Sequence, residues 1–107
     1  MRIGDAVLCT NQFELYTDFG IQIKARSKAV QTFVLQLTNG AAGLTLAGIE
    51  GEKGKNIKSG YSGTYLPSER AKKGGGYGAV IQSNIVGPEG GQILVEETLK
   101  MIDKVFQ

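Results

Sequence analysis

Residues 3–38 decide the predicted fold, and they have the sequence IGDAVLCTNQFELYTDFGIQIKARSKAVQTFVLQLT. Residues 6–9 are a continuous apolar run, which is typical of a strand buried on both faces. Residues 31–38 alternate apolar and polar residues around Phe33, Leu35 and Leu37, as a second strand does. Between them, apolar residues recur at helical spacing from residue 13 to about residue 26. A strand, a helix and a strand of these lengths predict a right-handed βαβ crossover that makes the strands parallel.

The start of the predicted helix has two interpretations. Asn11 and Glu14 match a capping box, with Asn11 as the N-cap and Glu14 three residues later. Glu14 also directly follows the first strand, and ligands of open α/β sheets gather at the carboxyl ends of strands. The carboxylate therefore either caps the helix or serves as a metal ligand or general base, and the pattern alone leaves both open.

The rest of the chain alternates glycine-rich segments with short regular elements. Residues 40–63 are predicted to form a flexible glycine-rich insertion at the surface. Pro67 is placed at the first position of a short helix over 68–73, which glycines 74–76 end. Residues 77–83 alternate as a third strand, and an apolar stripe over 94–106 predicts a C-terminal helix with a Glu96–Lys100 pair.

These elements predict a single α/β unit over residues 1–107. It would have a small, mostly parallel sheet with the βαβ unit, the glycine-rich excursion and the C-terminal helix. A chain that opens inside such a strand is expected to be part of a larger domain. The N-terminus has no signal-peptide pattern.

Composition excludes several classes of function. The chain has no histidine and one cysteine, Cys9. By itself it therefore cannot supply a Ser-His-Asp or Cys-His nucleophile, a histidine-based metal site or an internal disulfide. With 12 basic and 10 acidic residues, its net charge of +2 argues against a nucleic-acid partner. No apolar run approaches the roughly 20 residues of a transmembrane helix.

Tyr65 and Tyr77 are the next candidates for chemistry. They are 12 residues apart, they flank the predicted short helix, and both lie among glycines. A tyrosine beside a cleft can donate its O–H to a developing oxyanion, or bind a metal through its ionised oxygen. The alternative is a half-buried ring whose hydroxyl group is in water.

Four features of the sequence occur in the order found in a known family. They are the glutamate after a strand in NQFE (11–14), the segment TYLPSE (64–69), the second tyrosine in GYGA (76–79), and the Gly-Pro turn at 87–88 before the closing helix. Over residues 3–106, apart from about 43–63, the chain resembles the last stretch of the catalytic domain of the neutral (alkaline, non-lysosomal) ceramidases and their bacterial relatives.

Membership of this family would imply a zinc-dependent amide hydrolase that cleaves the N-acyl bond of ceramide or a related amide. The family holds its zinc with two histidines, a glutamate and a tyrosine, and a second tyrosine stabilises the tetrahedral oxyanion. The resemblance matches Glu14 and Tyr65 with the zinc ligands and Tyr77 with the oxyanion tyrosine. The interval between the two tyrosines agrees with the family's spacing.

The histidine ligands and the active-site serine of the family lie in an earlier part of the catalytic domain. We therefore expect this chain to be a C-terminal segment whose partner is the N-terminal part of that domain. Alone, it would be inactive and would not retain zinc tightly, because zinc sites need at least three protein donors. Exposed apolar sheet edges would make the isolated chain a homo-oligomer. The alternative is a self-standing α/β binding or interaction module in which Glu14 only caps a helix.

Overall fold

The structure is a computed structural model that describes residues 1–38, 65–79, 86 and 89–107. The predicted insertion at residues 40–63 lies outside the described residues. Within the described residues, the strands are β1 (Arg2–Ile3), β2 (Ala6–Thr10), β3 (Glu14–Leu15), β4 (Gln31–Leu35) and β5 (Tyr65–Leu66). The helices are α1 (Thr17–Arg26), α2 (Glu69–Gly74) and α3 (Gly90–Val105), and Tyr77–Ala79 form a 3-10 turn.

A three-stranded sheet has the order β1-β2-β4 and is mixed. Strands β2 and β4 are parallel, with Val7 opposite Thr32, and α1 lies between them in the chain, as predicted for the βαβ unit. Strand β1 is antiparallel to β2, because a two-residue turn reverses the chain between Ile3 and Ala6. Gly4 has φ +58° in this turn, a left-handed conformation that glycine adopts without strain. The expectation of a mostly parallel sheet is therefore wrong for this sheet.

The predicted capping box is also wrong, since α1 begins only at Thr17. The Asn11 side-chain oxygen instead accepts a hydrogen bond from the Phe13 amide at 3.0 Å, a turn that asparagine forms with its own backbone. Glu14 lies in β3, where a second strand supplies its backbone partners. The cap therefore does not explain why this position carries a carboxylate.

The second half of the chain follows its local signals more closely. Ser68 is the N-cap of α2, its hydroxyl accepting from the Ala71 amide at 3.3 Å, so that Pro67 precedes the cap instead of opening the helix. Gly75, with φ +71°, ends the helix as predicted. Residues 77–79 form a 3-10 turn, in which the Ala79 amide donates to the Gly76 carbonyl, and not the start of a strand. Residues 80–85 of that predicted strand lie outside the described part of the chain.

Helices α1 and α3 pack on one face of the sheet and against each other. Arg26 of α1 donates two hydrogen bonds of 2.7 Å to the Glu96 carboxylate of α3. The predicted Glu96–Lys100 pair is replaced, since Lys100 binds Glu97 at 2.6 Å. The core between these elements consists of Val7, Phe19, Ile23, Leu66, Val95, Leu99 and Ile102.

Candidate functional site

The candidate site is built on a short parallel ribbon that joins the two halves of the chain. Strands β3 and β5 pair with Glu14 opposite Tyr65 and Leu15 opposite Leu66. The ribbon continues by one bond, in which the Tyr16 amide donates to the Leu66 carbonyl at 3.3 Å. Two predicted site residues that are far apart in the sequence are therefore direct neighbours across adjacent strands.

The alternation of the ribbon decides which side chains share a face. Leu66 is 2% exposed in the core, and Leu15 packs against that core. Successive side chains of a strand point to opposite faces, so Glu14 and Tyr65 share the other face of the ribbon. Both residues are half-buried there. Neighbouring strands are about 4.8 Å apart, which brings a carboxylate and a phenol within reach of one small ligand.

The turn that carries Tyr77 packs on the same strand. Gly78 is buried, and a methyl group at its Cα would lie 2.6 Å from Cδ1 and 2.8 Å from Cγ of the Tyr65 ring. Glycine is required at this close approach, because any larger residue would push the turn off the ring. The backbone at Tyr77 therefore lies beside Tyr65, and the chain segments of all three predicted site residues meet in one place.

Tyr16 forms one cluster with Glu14, Tyr65 and the turn at Tyr77, and it was not predicted from the sequence as a site residue. It follows Glu14 by two positions on the ribbon, and its hydroxyl oxygen lies 2.8 Å from the position of a Cβ on Gly78 and 3.9 Å from one on Gly76. The signal was present as a period of two between residues 14 and 16. It was overlooked because Tyr16 also fits the helical stripe over residues 13–26.

A shallow cleft adjoins the cluster at Tyr16. It has a volume of about 290 Å³ and lies between the first turns of α1 and α2. Its walls come from Tyr16, Thr17, Asp18, Ser68, Arg70 and Ala71. An acidic residue, Asp18, and a basic residue, Arg70, therefore both line the cleft beside Tyr16.

The donor set can be tested against a metal. Carboxylate and phenolate oxygens are hard ligands that suit a divalent cation, so Glu14 and Tyr65 fit two positions of a zinc site. No cluster of three or more His, Cys, Asp or Glu side chains that could hold a metal occurs among the described residues. Cys9 offers no further ligand of this kind. It packs against the core, and burial raises the pKa of its thiol.

Two further observations bear on the kind of protein. In the part of the chain that the structure describes, no helix has the length and apolar character needed to cross a membrane. Comparison of the chain with protein-family models, with curated proteins and with solved structures finds no match.

Proposed function

We propose that this chain is the C-terminal segment of the catalytic domain of a zinc-dependent amide hydrolase of the neutral ceramidase type. The observation that carries the proposal is the register of the β3–β5 ribbon, which pairs Glu14 with Tyr65. The resemblance had assigned these two residues to one metal. Their pairing supports the assignment because the two residues come from opposite halves of the chain and share no local sequence pattern.

Glu14 and Tyr65 would hold the zinc together with two histidines from the N-terminal part of the same domain. Bound zinc would supply Lewis acidity, polarising the amide carbonyl and lowering the pKa of a water molecule. The phenol of Tyr77 would donate a hydrogen bond to the carbonyl oxygen as negative charge develops on it. Gly78 supports this role, because its contact with Tyr65 holds the Tyr77 turn beside the ribbon.

The chain alone supplies two of the four proposed ligands, so it should bind zinc weakly and show no turnover. This can be measured by titrating the chain with zinc in competition with a chromophoric chelator, while a fluorogenic N-acyl amide reports hydrolysis. We expect weak binding at one site, with no hydrolysis. Glu14→Gln and Tyr65→Phe should each abolish that binding, and Tyr65→Phe should also remove the absorbance change of tyrosine ionisation.

The matched control is Glu97→Gln on α3, which removes a carboxylate that pairs with Lys100 and leaves the ribbon unchanged. Equal zinc affinity in the parent chain, Glu14→Gln and Tyr65→Phe would contradict the metal site. Tight stoichiometric binding with turnover would contradict the incompleteness of the segment.

The mass of the native gene product gives a second test. A product several times the 11.4 kDa of this chain would support a segment of a larger enzyme. In that product, Glu14→Gln should abolish zinc-dependent amide hydrolysis, because the charged ligand is lost while the side-chain size is kept.

The alternative function is a self-standing α/β binding or interaction module. Apolar side chains on one face of the three-stranded sheet favour it, because Ile3, Phe33 and Leu35 are 58%, 46% and 39% exposed. A gene product of the same mass as this chain, with no loss of function in Glu14→Gln, would support this alternative.

A further inference from the structure

A cavity lies between β2 and the C-terminal half of α3. Its volume is about 320 Å³, which falls in the range of small-molecule sites. Most of its wall is apolar and comes from Val7, Leu8, Met101, Ile102 and Val105. No residue of the β3–β5 ribbon lines it, so the cavity is separate from the candidate site.

The hydroxyl group of Thr98 lines this cavity and has no hydrogen-bond partner among the described residues, although Thr98 is only 7% exposed. A threonine inside a helix often donates to the carbonyl four residues earlier, but Thr98 makes no such bond to Leu94. The other two buried polar side chains in the described part of the chain are both bonded. The Thr32 hydroxyl donates to Ser27 Oγ at 2.7 Å, and the Ser68 hydroxyl accepts from a backbone amide at 3.3 Å.

An unpaired hydroxyl group at this depth requires an explanation. Nearly all buried polar side chains in folded proteins have a hydrogen-bond partner, because burial without one costs free energy. A valine would fill the position of Thr98 with the same shape and without that cost. The hydroxyl group therefore points to a ligand that enters the cavity and bonds to it there.

The rest of the lining indicates that this ligand is neutral. Burial raises the pKa of the Cys9 thiol, which leaves it uncharged at neutral pH. The cations of the lining are the Lys104 side chain and the amino group of Met1, and both residues are exposed to water. The amino group also donates to the Leu8 carbonyl at 2.8 Å. An ion that reached Thr98 would lose its hydration and gain only a hydroxyl group in return.

We infer that the cavity binds a small neutral molecule that is apolar except for one hydroxyl or carbonyl group, which pairs with the Thr98 hydroxyl group. The apolar body of the ligand would pack against the walls from β2 and α3. Met1 and Met101 are 72% and 57% exposed and line the entrance, where unbranched thioether side chains adapt to ligands of different shape. A macromolecule is a poor occupant, because the unpaired group lies below the surface. The inference is independent of the proposed function, since it uses no residue of the ribbon.

The test is nuclear magnetic resonance of the whole chain with isotope-labelled methionine methyl groups. Met1 and Met101 are the two methionines of the sequence, and both line the cavity, so their signals report its occupancy. The probes are p-cresol, p-xylene, in which a methyl group replaces the hydroxyl group, and p-toluate, in which a carboxylate replaces it. We expect p-cresol and p-xylene to shift both methionine signals in a saturable manner, and p-toluate to bind more weakly than p-cresol.

Thr98→Val removes the hydroxyl group and keeps the shape of the side chain. It should lower the ratio of the p-cresol affinity to the p-xylene affinity about tenfold, because the hydroxyl group of p-cresol would then be buried without a partner. Thr98→Ser keeps the hydroxyl group and should keep this ratio. The matched control is Thr32→Val, which changes an equally buried threonine whose hydroxyl group bonds to Ser27 outside the cavity. It should also leave the ratio unchanged.

The inference is overturned if p-cresol leaves both methionine signals of the parent chain unchanged, a measurement that needs no variant. It is also overturned if p-toluate binds more tightly than p-cresol. An equal affinity ratio in Thr98→Val and Thr32→Val would overturn it as well, because the Thr98 hydroxyl group would then contribute nothing to binding.

Discussion

Gly78→Ala tests the close approach on which the candidate site depends. The added methyl group would lie 2.6 Å and 2.8 Å from two ring carbons of Tyr65, and 2.8 Å from the hydroxyl oxygen of Tyr16. The hydroxyl group is the far end of a side chain and can move aside. Cγ of Tyr65 is one bond from Cβ on a paired strand, so relief there requires the turn to shift.

The expected cost follows from these two contacts. Overpacking of a fixed group destabilises a protein by about 1–3 kcal/mol. The smaller freedom of alanine in the unfolded chain returns about 0.4–1 kcal/mol. We therefore expect Gly78→Ala to lower the free energy of unfolding by about 1–2 kcal/mol, which corresponds to a decrease in Tm of roughly 4–16 °C.

Thermal unfolding followed by circular dichroism measures this loss, and the near-ultraviolet signal of the tyrosines reports displacement of the rings. Gly74→Ala is the matched control, because a Cβ there meets no atom within 4 Å and alanine favours the helix. If Gly78→Ala is as stable as the parent chain, with an unchanged tyrosine signal, the packing of the turn on Tyr65 is refuted.

Three further predictions concern the helices. Gly91→Ala should destabilise the chain by about 1–2 kcal/mol, because its methyl group would overlap the Phe19 ring. Gly20→Ala should raise the free energy of unfolding by up to about 1 kcal/mol, because a Cβ there meets no atom within 4 Å. Urea unfolding measures both changes, and a change of the opposite sign in either variant would contradict the prediction for that variant. A hydrogen bond from Arg26, and a second, weaker contribution from the hydrogen bond of Gln92, lower the pKa of Glu96 from 4.5 to about 2. A carboxyl group whose pKa is lowered by folding stabilises the folded state above pH 4.5. This contribution to the free energy of unfolding is lost as the pH falls toward 2. The stability advantage of the parent chain over Glu96→Gln should therefore vanish across that window, and an advantage that grows on acidification would contradict the ion pair.

Helices α2 and α3 were the most predictable part of the fold. Helix α3 has an apolar stripe over several turns, and α2 has a serine cap and a closing glycine, so each carries its signal in its own sequence. The βαβ pairing of β2 with β4 also followed from local patterns. Its antiparallel neighbour β1 was missed because a two-residue strand has too few positions to show a period.

The ribbon could not be predicted from the sequence near Glu14. Residues 13–16 fit both the helical stripe and an alternating strand, and the choice depends on a pairing with Tyr65 in the other half of the chain. The family resemblance brought Glu14 and Tyr65 together, but it gave no reason to include Tyr16. That residue joins the cluster through its backbone bond to Leu66 and through the contact of its hydroxyl group with the Gly78 turn.

The ribbon also has a consequence for the order of folding. The β2–β4 pairing closes a short loop through α1, whereas the Glu14–Tyr65 pairing must close a much longer one and gains only two residue pairs in return. Loop-closure entropy therefore favours late formation of the ribbon. Elements with few pairings are also the first to open in the native state. The amide hydrogen of Tyr16, which donates to the Leu66 carbonyl, should exchange with solvent before those of β2 and β4, so that the candidate site would assemble last and open first.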